Sequence, residues 1–253
     1  MRPMKDEEQP AMARDSVGLF RYSRLARLKN IIFDLDGTLV DSNPGILRAL
    51  NYALLSAGYE PFSENDVRHL LGYPLHRFLD GRVREEDMER VVIAYRDYYN
   101  NVQCKNTAVF PGVPEALRRL REAGLKCAIA SNKPRYSSIN LLDALDIRYH
   151  FSVIVGADCV PAPKPDPAMI LQALSDLGGT PEDTIYVGDS VVDILAGRDA
   201  GLEVFILLNG ERDSTYSDKL RGATMILPEI GELVDLVLEH ADIYERERVA
   251  SNE

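Results

Sequence analysis

Two regimes of hydrophobic and polar patterning follow one another along the 253-residue chain. From Pro44 to Gly58, Ile46, Leu47, Leu50, Leu54 and Leu55 recur at helical spacing, and Gly58 stands where a helix end is expected. Ser63-Glu64-Asn65-Asp66 has the form of a capping box and predicts a second, short helix carrying Val67, Leu70 and Leu71. Gly72-Tyr73-Pro74 then breaks the chain. A long amphipathic helix is predicted from about Arg84 to Tyr99, with Val91, Val92, Tyr95 and Tyr99 on its inner side. Residues 44–106 therefore read as a helical block without a strand, closed by Pro111 and Gly112.

Beyond it the pattern alternates. Helices are predicted over Val113–Ala123, Tyr136–Leu145, Pro167–Leu177, Val191–Ala200 and Ile230–His240. Between them lie short apolar runs with the length and bounding residues of strands, at Lys126–Ala130, Phe151–Val155, Thr184–Val187 and Glu203–Leu207, with Met225–Leu227 as a short edge strand. Another such run, Ile31-Ile32-Phe33, precedes the helical block. Strands spaced by single helices imply right-handed crossovers and a mainly parallel sheet covered on both faces, an α/β Rossmann-like core. The helical block interrupts the first crossover and reads as an inserted cap over the carboxyl ends of the strands. The expected division is an N-terminal arm at 1–28, partly disordered, a core made of 29–43 and 107–253, and a cap at 44–106.

Composition narrows the classes of function. With 45% apolar and 27% charged residues the chain has the make-up of an ordinary soluble protein. Its net charge of -11 argues against a nucleic-acid surface. Cys104, Cys127 and Cys159 are scattered, without CxxC spacing, which fits a reducing compartment. No apolar run approaches the roughly 20 residues that span a bilayer, and Met1 to Asn30 lacks the apolar core of a signal peptide. A cytoplasmic location is expected. Val17 to Leu28 mixes apolar residues with Arg21, Arg24 and Arg27, and packing against the domain or a second subunit is favoured over membrane binding.

Candidate chemistry gathers just after the predicted strands, where an open α/β sheet binds its ligands. The first run ends in Asp34-Leu35-Asp36-Gly37-Thr38. Residues two apart in an extended chain share a face, so the two carboxylates converge. A plain turn would account for Asp and Gly alone. A calcium loop starting at Asp34 would need Gly sixth and Glu twelfth, where Leu39 and Gly45 stand. The second strand is followed by Ser131-Asn132-Lys133, the third, after a loop, by Pro163-Lys164-Pro165-Asp166-Pro167, and the fourth by Gly188-Asp189-Ser190 with Asp193 one helical turn on. Three or four aspartates at one place form a hard oxygen site suited to Mg²⁺, and a lysine with a hydroxyl beside it binds an anion of several oxygens. That combination recurs where phosphoryl groups are transferred.

These four ordered segments resemble the motifs of the haloacid dehalogenase superfamily over roughly residues 30–240. The helical insertion after the first motif resembles that superfamily's C1 cap. Ser131-Asn132-Lys133-Pro134, Lys164-Pro165-Asp166-Pro167 and Gly72-Tyr73-Pro74-Leu75 are most similar to its phosphoglycolate phosphatase branch. The resemblance implies that Asp34 is the nucleophile, forming an aspartyl phosphate, and that Asp36 is the general acid and base. Neighbouring negative charges are expected to sustain the acid form of Asp36. Asp34, Asp36 (through its carbonyl), Asp189 and Asp193 would hold Mg²⁺, with Asp193 acting through water or by orienting Asp189. Ser131 and Lys164 would hold the phosphoryl oxygens. Thr38, Asp41 and Ser42 are expected to shape the turn.

The second acid, Asp36, points to an oxygen leaving group, because a departing halide needs no proton. The resemblance thus implies a Mg²⁺-dependent phosphatase acting on a small phosphorylated metabolite, foremost 2-phosphoglycolate. Inorganic pyrophosphatase and β-phosphoglucomutase-type transfer are alternatives within the same chemistry, and a non-catalytic binding or regulatory module is one outside it. Substrate choice is expected to lie in the cap, with Arg68, His76 and Arg77 as contacts and Asn132 beside them from the core. Neither nucleic acid nor membrane is expected as a partner, and the protein is expected to be a monomer or homodimer.

Overall fold

The β-branched run ahead of Asp34 becomes the central strand. The computed structural model describes residues 25–63, 74–210 and 220–250, the last nine as backbone alone. The chain runs through a 3₁₀ turn (Leu25–Arg27), β1 (Asn30–Phe33), β2 (Val40–Asp41), α1 (Asn43–Ser56), α2 (Leu75–Leu79), α3 (Glu85–Val102) and β3 (Ala108–Val109). It continues through α4 (Val113–Glu122), β4 (Lys126–Ser131), α5 (Arg135–Ala144), β5 (Phe151–Gly156), α6 (Ala168–Leu177), β6 (Thr184–Gly188), α7 (Val191–Asp199), β7 (Glu203–Leu207), β8 (Met225–Leu227) and α8 (Ile230–Ala250).

The main sheet has the order β5-β4-β1-β6-β7-β8, with parallel pairing throughout. Ile31 lies beside Cys127 on one neighbour and Ile185 on the other. The period-2 alternation of a strand sends Ile31 and Phe33 into one apolar layer and Ile32 into the other. The first layer includes Leu117 and Leu120 of α4, Leu141 of α5 and Leu233 and Val237 of α8; the second includes Met169 and Ala173 of α6 and Ile194 of α7. Both faces being covered explains why β1 and β4 read as nearly continuous apolar runs. The order turns at β1: the chain adds β4 and β5 on one side, then β6, β7 and β8 on the other. A crevice at the carboxyl end of β1 follows from that reversal.

The helices after β2 have an apolar cluster of their own. Leu50, Ala53 and Leu54 of α1 meet Phe78 and Leu79 of α2 and Val91 of α3, with Phe62 and Val83 from the connections. Where the chain enters and leaves this helical segment, β2 and β3 form an antiparallel ladder, Val40 opposite Val109 and Asp41 opposite Ala108. Sequence patterning does not reveal this pair, since two residues cannot display a period. The α3 helix runs three residues past Tyr99, and α8 ten past His240. Residues 64–71 of the predicted second helix, Arg68 among them, and Arg21 and Arg24 lie outside the described residues; the 3₁₀ turn buries Leu25 against the core. Among the described residues no helix is long and apolar enough to cross a membrane.

Candidate active site

Asp34 follows β1 directly and is 3% exposed; its backbone N–H donates to Val187 O at 2.8 Å, continuing the parallel ladder one step past the strand. The next residues turn back, with Gly37 N–H donating to Val40 O at 2.8 Å. Gly37 has φ +86°, and a Cβ there would run into the Asp189 carboxylate. Glycine is therefore required twice over, by conformation and by space. Thr38 Oγ1 donates to Asp189 Oδ1 at 3.0 Å, so the turn after β1 orients the aspartate after β6. Asn209, just after β7, donates from Nδ2 to the carbonyls of Gly37 (2.8 Å) and Thr38 (3.0 Å) and pins the turn from the other side.

Lys164 occupies the centre of the charged cluster and is 1% exposed. Its Nζ lies 3.0 Å from Asp34 Oδ1 and 2.7 Å from Asp193 Oδ1, and donates to the Tyr186 hydroxyl at 2.8 Å. Asn132 fixes the backbone that carries it: Lys164 N–H donates to Asn132 Oδ1 (2.8 Å), and Asn132 Nδ2 donates to Lys164 O (3.1 Å). Asp193 caps its own helix. Its Oδ2 accepts from Ser190 Oγ (2.6 Å), Ser190 N (3.0 Å) and Asp189 N (3.3 Å), while Oδ1 faces Lys164 and Tyr186. Local capping chemistry thus delivers a fully buried carboxylate to the lysine.

The charges in this cluster are unbalanced. Burial is the largest influence on Asp34 and lifts its carboxyl from 3.8 to about 6; Lys164 works against the rise, and Asp193 and Asp36 add to it. Asp189 is held well above the ordinary carboxylate range, by burial first and then by the charges of Asp193 and Asp34. Burial would also raise Asp193, but Lys164, Ser190 and Tyr186 more than offset it and keep its carboxyl below the usual value. Lys164 stays charged because Asp193 and Asp34 outweigh the effect of burial.

Asp36 lies across the mouth of the crevice. Its Oδ2 is 2.8 Å from Nζ of Lys133, a lysine 7% exposed on the loop leaving β4, and its Oδ1 is buried without a hydrogen-bond partner. The nearest charged partner of Asp36 is therefore positive, in addition to the negative charge of Asp34 that sequence reasoning expected. Lys133 Nζ also donates to the hydroxyl of Tyr99 on α3, at 2.7 Å. Above these groups lies a cavity of about 580 Å³ between the sheet and the helical segment. Asp34, Asp36 and Ser131 are at its floor, Ile46, Leu75, Phe78 and Tyr95 are among its apolar walls, and His76, Arg96 and Asn100 supply polar edges.

Sequence comparison then separates this site from others of similar composition. Residues 31–207 match the haloacid dehalogenase-like hydrolase family, a span that includes every candidate catalytic residue. The chain belongs to that family. Phosphoglycolate phosphatase 1 of Pseudomonas aeruginosa is 36% identical over 200 residues, covering 76% of this chain and 72% of the relative. The phosphoglycolate phosphatase of Aquifex aeolicus is 34% identical over 183 residues, covering 72% and 86%. The crystal structure of a predicted phosphoglycolate phosphatase from Haemophilus somnus 129pt superposes with a TM-score of 0.75 at 28% identity, over 83% of this chain and 98% of that one.

As a haloacid dehalogenase-like hydrolase, the protein carries its core motifs at the places the sequence predicts. Asp34, Lys164, Asp189 and Asp193 form one cluster, and Ser131, at the end of β4, lines the cavity beside Asp34 and Asp36. The cap contacts divide. His76 lines the cavity, whereas its neighbour Arg77 is exposed and does not. Asn132 lines it too, yet its amide holds the Lys164 backbone on both sides. Sequence reasoning missed Lys133, Tyr99, Arg96, Tyr186 and Asn209, and credited Thr38 with turn geometry alone. Lys133 stood inside the motif quoted for Ser131; Tyr99 and Arg96 stood on the predicted inner helix without a visible partner.

A cation site is compatible with this donor set. Asp34, Asp189 and Asp193 each offer a carboxylate oxygen within 4.8 Å of the others. Both oxygens of Asp193 are engaged by protein donors, so it orients the cluster, and Asp34 and Asp189 supply the side-chain donors. Two carboxyls raised by burial and mutual repulsion, all-oxygen in character, suit a hard divalent ion.

Proposed function

We propose that the protein is a Mg²⁺-dependent phosphatase of a small phosphorylated metabolite, with 2-phosphoglycolate the foremost substrate, working through an aspartyl phosphate in the cytoplasm as a monomer or homodimer. The observation that carries the reading is the position of Asp34: a buried carboxylate at the carboxyl end of the central strand, 3.0 Å from a buried lysine and facing a cavity that Asp36 shares. The names of the relatives favour phosphoglycolate over pyrophosphate or a sugar phosphate.

An Asp34 oxygen would attack phosphorus as the bond to the ester oxygen breaks, and at neutral pH a carboxyl near 6 needs no base to ionise it. Asp36 would give its proton to the departing ester oxygen, then take one from the water that cleaves the aspartyl phosphate. Lys164, fixed by Asn132 and Tyr186, would neutralise charge on Asp34 and the phosphoryl oxygens. Ser131 Oγ would donate to one of those oxygens. Mg²⁺, held by Asp34, Asp189 and the carbonyl of Asp36, would shield the phosphoryl charge from the attacking carboxylate. The helices over residues 44–106, as a cap, would exclude water and contact the leaving group through His76 and Arg96, with Arg68 and Arg77 as further cations of the same segment.

Phosphate release from a panel containing phosphoglycolate, pyrophosphate and hexose phosphates, with Mg²⁺ and with EDTA, tests the reading. Metal-dependent release with phosphoglycolate preferred is expected. Transfer to a sugar without stoichiometric phosphate would establish a mutase. No release from any ester would leave a binding module of the family's fold.

A further inference from the structure

A leaving group can be recognised only by side chains still free to bond with it, and many polar groups around the cavity are already engaged. Lys133 is held by Asp36 and the Tyr99 hydroxyl, Asn132 by the Lys164 backbone on both sides, and Asn100 Oδ1 by Ser137 Oγ at 3.1 Å. Arg96 differs. It lines the cavity, it is exposed, and among the described residues it has neither an ion pair nor a hydrogen bond. Other arginines of the chain are paired: Arg84 and Arg90 with Asp87, Arg118 with Glu115 and Glu122, and Arg119 with Asp235. Carboxylates are plentiful in a chain of net charge -11, yet the helical neighbours of Arg96 are Val92, Ile93, Tyr99 and Asn100. None of them can neutralise it.

The geometry of α3 fixes where this cation stands. Val92, Arg96, Tyr99 and Asn100 form one stripe of the helix, and all four line the cavity. Two of them anchor the stripe to the core: Tyr99 through Lys133, at 2.7 Å, and Asn100 through Ser137 of α5. Arg96 precedes Tyr99 by three residues, about 4.5 Å along the axis, on the side away from the β2–β3 ladder. It therefore overhangs the part of the cavity beyond Asp36, where the alcohol portion of an ester seated on Asp34 would extend. Leu75, Phe78 and Tyr95 supply apolar walls to that cavity. A carboxylate brought among such walls gives up hydration and needs a charged partner. The planar fork of a guanidinium matches both of its oxygens, whereas the imidazole of His76 offers its nitrogens singly.

We propose that Arg96 is the specificity-determining residue of the site: it binds the carboxylate of the leaving group through two parallel N–H contacts. The site thereby selects phosphate esters of short hydroxy acids over esters of neutral or cationic alcohols of the same length. The inference deepens the phosphatase reading above and rests on it. Arg96 touches no reacting atom. Its contact is the same in the bound ester and in the transition state, so its loss falls on KM more than on kcat.

Three esters of nearly equal size isolate the charge: phosphoglycolate carries a carboxylate, 2-hydroxyethyl phosphate a neutral hydroxyl, and 2-aminoethyl phosphate an ammonium group. Phosphate release from each, with saturating Mg²⁺, is compared for wild type, Arg96→Met, Arg96→Lys and Arg96→Glu. Wild type is expected to favour phosphoglycolate over the hydroxyethyl ester by about 30-fold in kcat/KM, the scale of a charge-assisted contact. Arg96→Met should lose about that factor on phosphoglycolate, chiefly through KM, and less than about 3-fold on the hydroxyethyl ester. Arg96→Lys keeps the charge without the fork and should fall between the two. Arg96→Glu should reverse the order and place the aminoethyl ester above phosphoglycolate, an outcome that a merely structural role of Arg96 cannot produce. Because the side chain is exposed, melting temperatures should stay within about 2 °C of wild type.

Equal losses on all three esters in Arg96→Met, or an unchanged order in Arg96→Glu, would overturn the role of Arg96 and leave the phosphatase reading intact. So would a wild type that hydrolyses the charged and neutral esters alike. A carboxylate-selective loss in His76→Gln or Arg68→Met, with Arg96→Met unaffected, would assign the contact to another side chain and overturn it as well. A wild-type protein that releases phosphate from none of the esters overturns both readings. Should Arg96→Met fail to fold, Arg96→Lys decides the matter by the same comparison.

Discussion

Replacing Lys164 by Met removes the one cation buried among Asp34, Asp193 and Tyr186 while nearly conserving volume. Asp193 then has no ammonium 2.7 Å away, and its remaining donors cannot offset burial beside a second carboxylate. Breaking a buried pair in this manner costs about 3–5 kcal/mol. Linkage sets a ceiling that depends on pH, because a carboxyl can escape the penalty by taking up a proton. That costs about 1.4 kcal/mol for each pH unit above its unfolded value of 3.8, hence about 4 kcal/mol at pH 7 and about 2 kcal/mol at pH 5.

The sign follows from the direction of the shift. In the wild type Asp193 is held low, so its contribution to stability is present above the unfolded value and is lost only as pH falls through the folded one. In Lys164→Met the same carboxyl is pushed up, the folded state binds the extra proton, and stability falls as pH rises. Urea unfolding of both metal-free proteins at pH 5 and pH 7 measures the difference. The gap between them should be about 2 kcal/mol wider at pH 7. A gap below about 1 kcal/mol, or one equal at both pH values, would refute the assignment of Lys164 as the neutralising group. Because all three charged groups are buried, salt should change the result little.

Further outcomes follow from the same geometry. Mg²⁺ binding near pH 6 should release protons, since Asp34 is raised to about 6 and Asp189 well above its ordinary value in the metal-free protein; calorimetry in buffers of different ionisation enthalpy would show heats that differ. The raised Asp34 carboxyl makes the metal-free fold lose stability as pH climbs from about 4 to about 6, a trend that saturating Mg²⁺ should cancel in thermal melts. Asp34→Asn should abolish turnover and yet raise the metal-free melting temperature at pH 7, because it deletes a buried charge; retained phosphate release would exclude Asp34 as nucleophile. Gly37→Ala should weaken Mg²⁺ binding by about tenfold or more, read by titration calorimetry, since its Cβ displaces the Asp189 carboxylate.

The architecture was legible because its signals are local. A strand buried on both faces must be apolar throughout, and a helix that buries one face must repeat its apolar residues near 3.6, so β1, β4, α1 and α3 could be placed from patterning. The core site was legible for a related reason. In a parallel sheet the residues just after the strands share one edge; Asp34, Ser131 and Asp189 each stand in such a place, and Lys164 reaches it by a loop after β5. The β2–β3 ladder was illegible because a two-residue strand has no period. That Arg77 does not line the cavity while His76 does depends on the turn of a five-residue helix, which no spacing along the chain reveals.

What the sequence alone determined, then, was the sheet, its site-bearing edge and the acids and lysine gathered there, all consequences of period, chain order and residue type. Which group faces which was decided only in three dimensions. Asp193 is an orienting carboxylate because Ser190, Lys164 and Tyr186 occupy both its oxygens. Asp36 has a positive neighbour because the loop after β4 and the inner face of α3, 34 positions apart at Lys133 and Tyr99, close over it. Contacts of that range are paid for by packing of the whole core, and no window of sequence shorter than the chain contains them.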